Sequence, residues 1–305
     1  MHTKDFISIH DLTVGEVHHI FDLTREMKAE REKFSNALEG KILALIFEKP
    51  SLRTRVSFEV GIRQLGGNAV YLSPLEIQMG KRESIHDVGK TLERMVDGIM
   101  VRTFGHEIVL ELAKAVRVPV INGLTDLLHP CQAMADYFTV LEKKRNLKGL
   151  KVVFVGDGNN VCHSLMFGAA KLGVDFWAAT PRGYEPKKEI VQSASEDARV
   201  AGARLHVVND PQEAVRDADV VYTDVWASMG QETEAEARKR TFLPYQVNQK
   251  LFSFAKPDAL FLHCLPAHRG DEVTDDVIDS SNSVVFDEAE NRLHVQKAIL
   301  YELLR

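Results

Sequence analysis

The chain has 305 residues, enough for about two domains of ordinary size. Its 38 basic and 44 acidic residues leave a formal charge of −6, which excludes a protein built mainly to coat nucleic acid, because that task needs a basic footprint. A composition 45% hydrophobic and 27% charged excludes a disordered chain, and no apolar run approaches the ~18 residues that cross a bilayer.

In chain order, Thr13-Val-Gly-Glu16 reads as a capping box opening a helix, with Leu12 and Val17 as its hydrophobic staple. Lys41–Phe47 reads as a buried strand closed by the turn Lys49-Pro50-Ser51, and a helix from about Arg53 ends at Gly66-Gly67. Asn68–Leu72 reads as a strand, Ser73–Glu83 as polar loop, and Ser84-Ile-His-Asp87 as the start of another helix. Gly98–Arg102 and Val118–Ile121 are the next strands, and Pro130–Arg145 is one long helix before a domain joint at Asn146-Leu-Lys-Gly149. The alternation then restarts with strand Lys151–Val155, helix Val161–Leu172 and strand Val174–Ala179. Further strands are expected at Arg204–Val208, Val220–Thr223, Ala259–His263 and Ser283–Phe286. Such alternation predicts an α/β protein with two parallel sheets, whose ligands sit in the loops at the carboxyl ends of strands.

The residues directly after each strand are therefore the ones that carry chemistry. Ser51 reads as the cap of a helix starting with Arg53, and free N–H groups at such a start, beside Arg53, Arg55 and the Ser51 and Thr54 hydroxyls, suit a phosphate. An ordinary capped helix with two solvated arginines is the plain alternative. Arg102 ends a strand at what would be the same sheet edge, and His129 precedes a proline that suits a first helical turn, with Gln132 close by. Each of these alone also fits a surface arginine or a polar cap.

In the second half, Gly156-Asp-Gly-Asn-Asn160 follows a strand but has Val161 where a dinucleotide fingerprint needs its third glycine, and no acid at the end of the next strand. Asn159 and Asn160 instead offer amides at a helix start, suited to a carboxylate. Asp224 follows another strand and suits a cationic amine, and the polar run Gln231–Arg240 fits either a mobile lid or a solvated helix face. His263 and Cys264 end a further strand, where the cysteine is either a reactive thiol or a buried inert one. There is no C-x-x-C or H-E-x-x-H spacing and no phosphate-loop lysine motif, so neither metal nor cofactor is expected. The odd, widely spaced set Cys131, Cys162 and Cys264, with no visible signal peptide, fits a reduced cytoplasmic protein that meets no membrane.

Ser51-Leu-Arg-Thr-Arg55 resembles the S-x-R-T-R signature of the carbamoyltransferases, and His129-Pro-Cys-Gln132 resembles their H-P-x-Q. Asp224-Val-Trp-Ala-Ser-Met-Gly230 and His263-Cys-Leu-Pro266 resemble the two motifs that mark the ornithine-specific branch. The likeness runs in order from the first helix to Gln296-Lys297. It implies transfer of the carbamoyl group of carbamoyl phosphate to the δ-amine of L-ornithine, giving citrulline and phosphate. It implies that Ser51, Leu52, Arg53 and Thr54 cradle the phosphate, that Gln78 is lent to a neighbouring subunit, and that Arg102, His129 and Gln132 hold the carbamoyl group. Arg292 is implied as a further carbamoyl phosphate contact, Asn160, Asp224, Ser228 and Met229 as ornithine contacts, and Cys264 and Leu265 as the pair at the reacting centre. Asp224, Arg102, His129 and Cys264 are the implied catalytic groups, with Cys264 steered by His263 and Asp224 toward taking or placing the amine proton. A carbamoyl-phosphate-binding domain over residues 1–146, an ornithine-binding domain over 147–288, a C-terminal helix (289–305) returning to the first domain, and a homotrimer follow from the same likeness.

Overall fold

The computed structural model describes residues 1–77, 79–80, 82–227 and 232–305. Its contacts form two compact units, residues 1–135 with 290–305, and residues 136–289. Gln78, Ser228 and Met229, all expected at the site, lie outside the described residues.

In the first unit α1 (Val14–Ala29) is opened by the expected capping box: Thr13 Oγ1 accepts from Glu16 N at 3.2 Å, and Glu16 Oε2 accepts from Thr13 N at 2.9 Å. β1 (Ile42–Phe47), α2 (Leu52–Gln64), β2 (Asn68–Leu72), α3 (Pro74–Ile77), α4 (Ile85–Leu92), β3 (Gly98–Arg102), α5 (His106–Ala115) and β4 (Val120–Leu124) follow. The strands make a parallel sheet in the order β2-β1-β3-β4. β1 and β3 are central and buried, as their unbroken apolar runs require, whereas edge strand β2 is only partly covered. Register sets Phe47 beside Arg102 and Arg102 beside Leu124, so the segments after β1, β3 and β4 leave one edge of the sheet together.

α6 (Pro130–Lys144) contains the division between the units, which falls earlier than the joint expected at 146/147. The second unit holds β5 (Lys151–Val155), α7 (Asn160–Leu172), β6 (Asp175–Ala179), α8 (Lys188–Ala201), β7 (Arg204–Val208), α9 (Pro211–Val215), β8 (Val220–Thr223), α10 (Ala235–Phe242), α11 (Gln249–Phe252), β9 (Leu260–Leu262) and α12 (Asp275–Ile278). Its sheet is parallel, in the order β7-β6-β5-β8-β9. The core beneath it gathers Val153, Val155, Val221 and Phe261 from the strands with Leu251 and Val277 from the helices. The chain ends in α13 (Val285–Leu304), whose residues from Glu290 group with the first unit. There β3 begins at Gly98, where an added Cβ would lie 2.7 Å from Leu304 Cδ2, so the Leu304 side chain in the last turn of α13 packs directly over the start of the strand and would have to shift for any larger residue.

Three local expectations are corrected. Ser73–Glu83 is not all loop, since it contains α3. β4 runs from Val120 to Leu124 rather than ending at Ile121: Asn122 N donates to Phe6 O at 2.8 Å and Asn122 Nδ2 to Ile7 O at 3.0 Å, so a distant segment satisfies polar groups that read as a strand stop. Ser283–Phe286 is not a strand. Ser283 makes a single bridge to Phe261, and Val285 already begins α13, whose acidic first turn of Asp287 and Glu288 suits a helix start.

Candidate functional site

In the first unit the helix start after β1 forms as its residues dictate. Ser51 is extended, its Oγ accepts from Thr54 N at 3.2 Å, and α2 begins at Leu52. The hydroxyl of Thr54, itself fully buried, is the point of convergence: Arg292 Nη2 donates to its Oγ1 at 3.1 Å and Arg102 Nη1 approaches the same atom at 3.5 Å. Arg292 Nη1 donates to Gln132 Oε1 at 2.5 Å, which fixes the guanidinium on α13 against the start of α6. Both arginines are buried, and Arg53 beside them is half-buried and makes no ion pair among the described residues. A set of cations held rigid before any anion arrives is pre-organised for one.

His129 lies in this field. Burial, then the charges of Arg292, Arg102 and Arg53, hold its imidazole well below the usual histidine range, so the ring is neutral. Leu52 is not part of the buried set: its side chain is 73% exposed, which leaves its backbone at the helix start as its contribution to an anion site. Lys49, which the sequence did not single out, is buried, ion-paired to Asp126 and placed over the Phe104 ring at 4.3 Å. Its only signal was position, two residues past the end of β1.

In the second unit the segments after β5, β8 and β9 likewise leave one sheet edge, with Val155 beside Thr223 and Tyr222 beside Leu262. Asn159 caps α7, its Oδ1 accepting from Val161 N at 3.0 Å and Cys162 N at 3.1 Å, while its Nδ2 donates to Asp224 Oδ2 at 2.7 Å. Asn159 is therefore committed to holding Asp224. Of the two asparagines only Asn160, half-buried as the first residue of α7, keeps the place expected of a carboxylate contact. A Cβ on Gly158 would collide with the backbone of Tyr184, Glu185 and Pro186, so loop packing explains this glycine without a dinucleotide.

Cys264 Sγ donates to the other Asp224 oxygen, Oδ1, at 3.1 Å. Burial and then the Asp224 carboxylate push this thiol well above its ordinary range, so it is a thiol and not the thiolate that nearby cations would favour. His263 does not steer it by a hydrogen bond. Its Nδ1 accepts from Leu265 N at 2.9 Å, which leaves Nε2 to donate to Glu272 Oε1 at 3.2 Å, both side chains being fully buried. That bond helps to hold Leu265 at a positive φ of 57°. One donor atom each from Asp224, His263 and Cys264 lie within 4.8 Å of one another. Since both ring nitrogens and the thiol are already engaged, the cluster is a hydrogen-bond network as it stands.

The polar run after the Asp224 loop is helix from Ala235 onward, and it is not merely solvated. Arg238 is buried, ion-paired to Asp157, and donates to Trp226 O; its guanidinium also faces Tyr184 at 4.9 Å and Phe242 at 5.3 Å. Sequence reasoning missed this arginine because one buried cation inside a charged run has no periodicity to mark it.

A family model described as the aspartate/ornithine carbamoyltransferase carbamoyl-P binding domain matches residues 4–142, and its companion, the Asp/Orn binding domain, matches residues 148–303. The chain belongs to the aspartate/ornithine carbamoyltransferase family. Among relatives in that family, the ornithine carbamoyltransferase of Thermococcus kodakarensis is 56% identical over 299 residues, covering 97% of this chain and 95% of its own length. That of Carboxydothermus hydrogenoformans is 56% identical over 303 residues, covering 99% and 97%. The solved structure of the ornithine carbamoyltransferase from Pyrococcus furiosus superposes with a TM-score of 0.96 at 54% identity, covering 98% of this chain and 96% of that one. The family models divide the chain by sequence, yet Arg292, within the segment matched by the second, bonds to Thr54 and Gln132 in the segment matched by the first.

Proposed function

We propose that this enzyme transfers the carbamoyl group of carbamoyl phosphate to the δ-amine of L-ornithine, giving L-citrulline and phosphate. The observation that carries the reading is the convergence of Arg102 and Arg292 on Thr54 Oγ1, beside the Ser51-capped start of α2 and a neutral His129. Ser51, Arg53 and the backbone N–H groups of Leu52 and Arg53 at the helix start receive the phosphate. Arg102, Thr54 and His129 donate to the carbamoyl oxygen, with Gln132 and Arg292 bracing them. In the second unit Asp224 receives the cationic δ-ammonium, and Asn160, Ser228 and Met229 take the rest of ornithine.

Attack by the neutral amine forms the N–C bond and moves an electron pair onto the carbonyl oxygen, where fixed donors stabilise it; one such donor is typically worth about 3–4 kcal/mol. Collapse of the tetrahedral species breaks the C–O bond to phosphate. Starting from the ammonium, the nitrogen gives up two protons, one retained by the departing phosphate and one passed to solvent. Cys264, held as a thiol, does not accept either; it and Leu265 place the amine, while Asp224 is the adjoining carboxylate. Citrulline formation measured with ornithine, aspartate and putrescine side by side tests the assignment, and product from aspartate but not from ornithine would overturn it.

The same reading includes a homotrimer to which Gln78 contributes in trans. Its support is apolar surface left open on neighbouring elements, with Leu52 and Leu75 exposed at 73% and 85% on α2 and α3, next to the edge strand β2. Light scattering that returned the mass of a single chain would remove this part alone. A cytoplasmic location accords with three free cysteines, two of them buried.

A further inference from the structure

β9 ends at Leu262, and with it the ladder to β8, whose last register pair is Tyr222 and Leu262. Beyond that point no strand among the described residues pairs with the backbone that carries His263, Cys264 and Leu265. The next N–H is taken by a side chain: His263 N donates to Glu288 Oε2 at 3.0 Å. The other oxygen of Glu288 accepts from Tyr222 Oη at 3.1 Å. Glu288, on the first turn of α13, is fully buried, and Asp136 on α6, 1% exposed, hydrogen-bonds it carboxyl to carboxyl. Two carboxyl groups bond this way only when a proton lies between them. Burial and the neighbouring Asp136 accordingly hold the Glu288 carboxyl well above the ordinary range.

We propose that the buried Asp136–Glu288 carboxyl pair is a positioning device for carbamoyl transfer, fixing the backbone at His263 so that the Cys264 thiol meets Asp224 and Leu265 keeps its turn. The inference rests on the function proposed above and adds residues that touch neither substrate. A carboxyl that keeps its proton accepts the His263 N–H without placing a second full negative charge beside Asp224 and Cys264. The groups facing the pair are consistent with this arrangement: Tyr222 from β8 donates to Glu288, and Asp224 and Cys264 lie beyond it at the ends of β8 and β9.

Steady-state citrulline formation by the full-length enzyme, with the two substrates varied separately, tests the proposal in Glu288→Ala and Glu288→Gln. Glu288→Ala is expected to lose roughly 100-fold in kcat, the size of effect that a misplacement of about 1 Å produces. Its KM for carbamoyl phosphate should stay within about twofold of wild type, since that substrate's donors lie elsewhere. Glu288→Gln keeps an acceptor for His263 N and a donor for Asp136, with the Tyr222 hydroxyl turning from donor to acceptor of the amide, and should recover kcat to within about threefold of wild type. Iodoacetamide labelling of Cys264, read by mass spectrometry, gives an independent signal because Cys131 and Cys162 are buried. Its rate should change about fivefold or more in Glu288→Ala and stay near wild type in Glu288→Gln. Should the alanine variant not fold, Glu288→Asp, too short to reach His263 N, replaces it with the same expectation. Wild-type kcat and labelling in the alanine or aspartate variant, or a folded Glu288→Gln as impaired as they are, would overturn the proposal. A wild-type enzyme that made no citrulline would count against the proposed function instead.

Discussion

The two sheets are built alike and end in opposite chemistry. Both are parallel, and both deliver loops to one edge through strand registers that can be followed pair by pair. At that edge the first unit assembles Arg53, Arg102 and Arg292 around a hydroxyl and a neutral histidine. The second assembles Asp224, Glu272 and Glu288 around the segment His263-Cys264, and the buried Arg238 is tied to Asp157. Architecture thus sets where ligands bind, and the sign of the charge at each strand end sets which ligand. A subtler parallel runs beneath the contrast. Burial lowers the histidine and raises the cysteine, so in both places the group nearest the chemistry is neutral.

Breaking the cationic side should have the largest effect. Arg102→Ala removes a donor to the developing oxyanion and a partner of Thr54, and kcat should fall by about 10²–10³. The KM for carbamoyl phosphate should rise, with little change in ornithine binding to the second unit. Asp224→Asn is the matching change on the acidic side. It keeps the shape but removes the charge that receives an ammonium, so the ornithine KM should rise roughly 10–100-fold, corresponding to a charged hydrogen bond of about 1.5–3 kcal/mol. Titration calorimetry with each substrate checks both variants. If the Arg102 variant lost ornithine binding, or the Asp224 variant lost carbamoyl phosphate binding, the division of labour between the sheets would be wrong.

The histidine sharpens the comparison through pH. A histidine held neutral in the fold has a depressed native pKa, so as pH falls through the ordinary histidine range the unfolded chain takes up a proton that the native chain refuses. Its contribution is present above that range and is lost on acidification. The melting temperature of the wild type should therefore fall between about pH 7.5 and about pH 5.5 by more than that of His129→Gln. Equal falls, measured by calorimetry in matched buffers, would mean that the ring is protonated without cost.

What the sequence made legible was local. Capping chemistry at Thr13, Ser51 and Ser84 marks three helix starts, and runs such as Ile42–Phe47 and Lys151–Val155 can only be interior strands. The motifs after strands pointed to Arg102, His129 and Asp224 because parallel sheets expose the residues at that point. Arrangements that depend on distant partners were not legible. Asn122 looked like the end of a strand until Phe6 and Ile7 supplied its hydrogen bonds. The β-branched pair Val284-Val285 looked like strand, though a helix start prevails there. Cys264 next to His263 suggested a histidine-activated thiol, but the ring turns to Leu265 and Glu272, and the thiol turns to Asp224. Arg238 and Glu288 sit in charged stretches whose pattern says only that most of their neighbours face water.

The smallest expected effect tests whether the anion site is made by the helix start or only by the arginines around it. Ser51→Ala removes the cap of α2, a loss of about 1 kcal/mol in stability for a side chain that accepts a single backbone N–H. If the helix terminus itself receives phosphate, the same change frees Thr54 N from its internal acceptor while disordering the turn that aims it. The carbamoyl phosphate KM should then rise by roughly fivefold, more than so small a stability change implies. Ser51→Asp separates the two roles. It restores a good cap but sets a carboxylate where the phosphate would lie, so stability should recover while binding worsens further. Recovery of both together would leave the arginines as the whole of the anion site, and would make the first sheet's contribution one of side chains rather than of backbone.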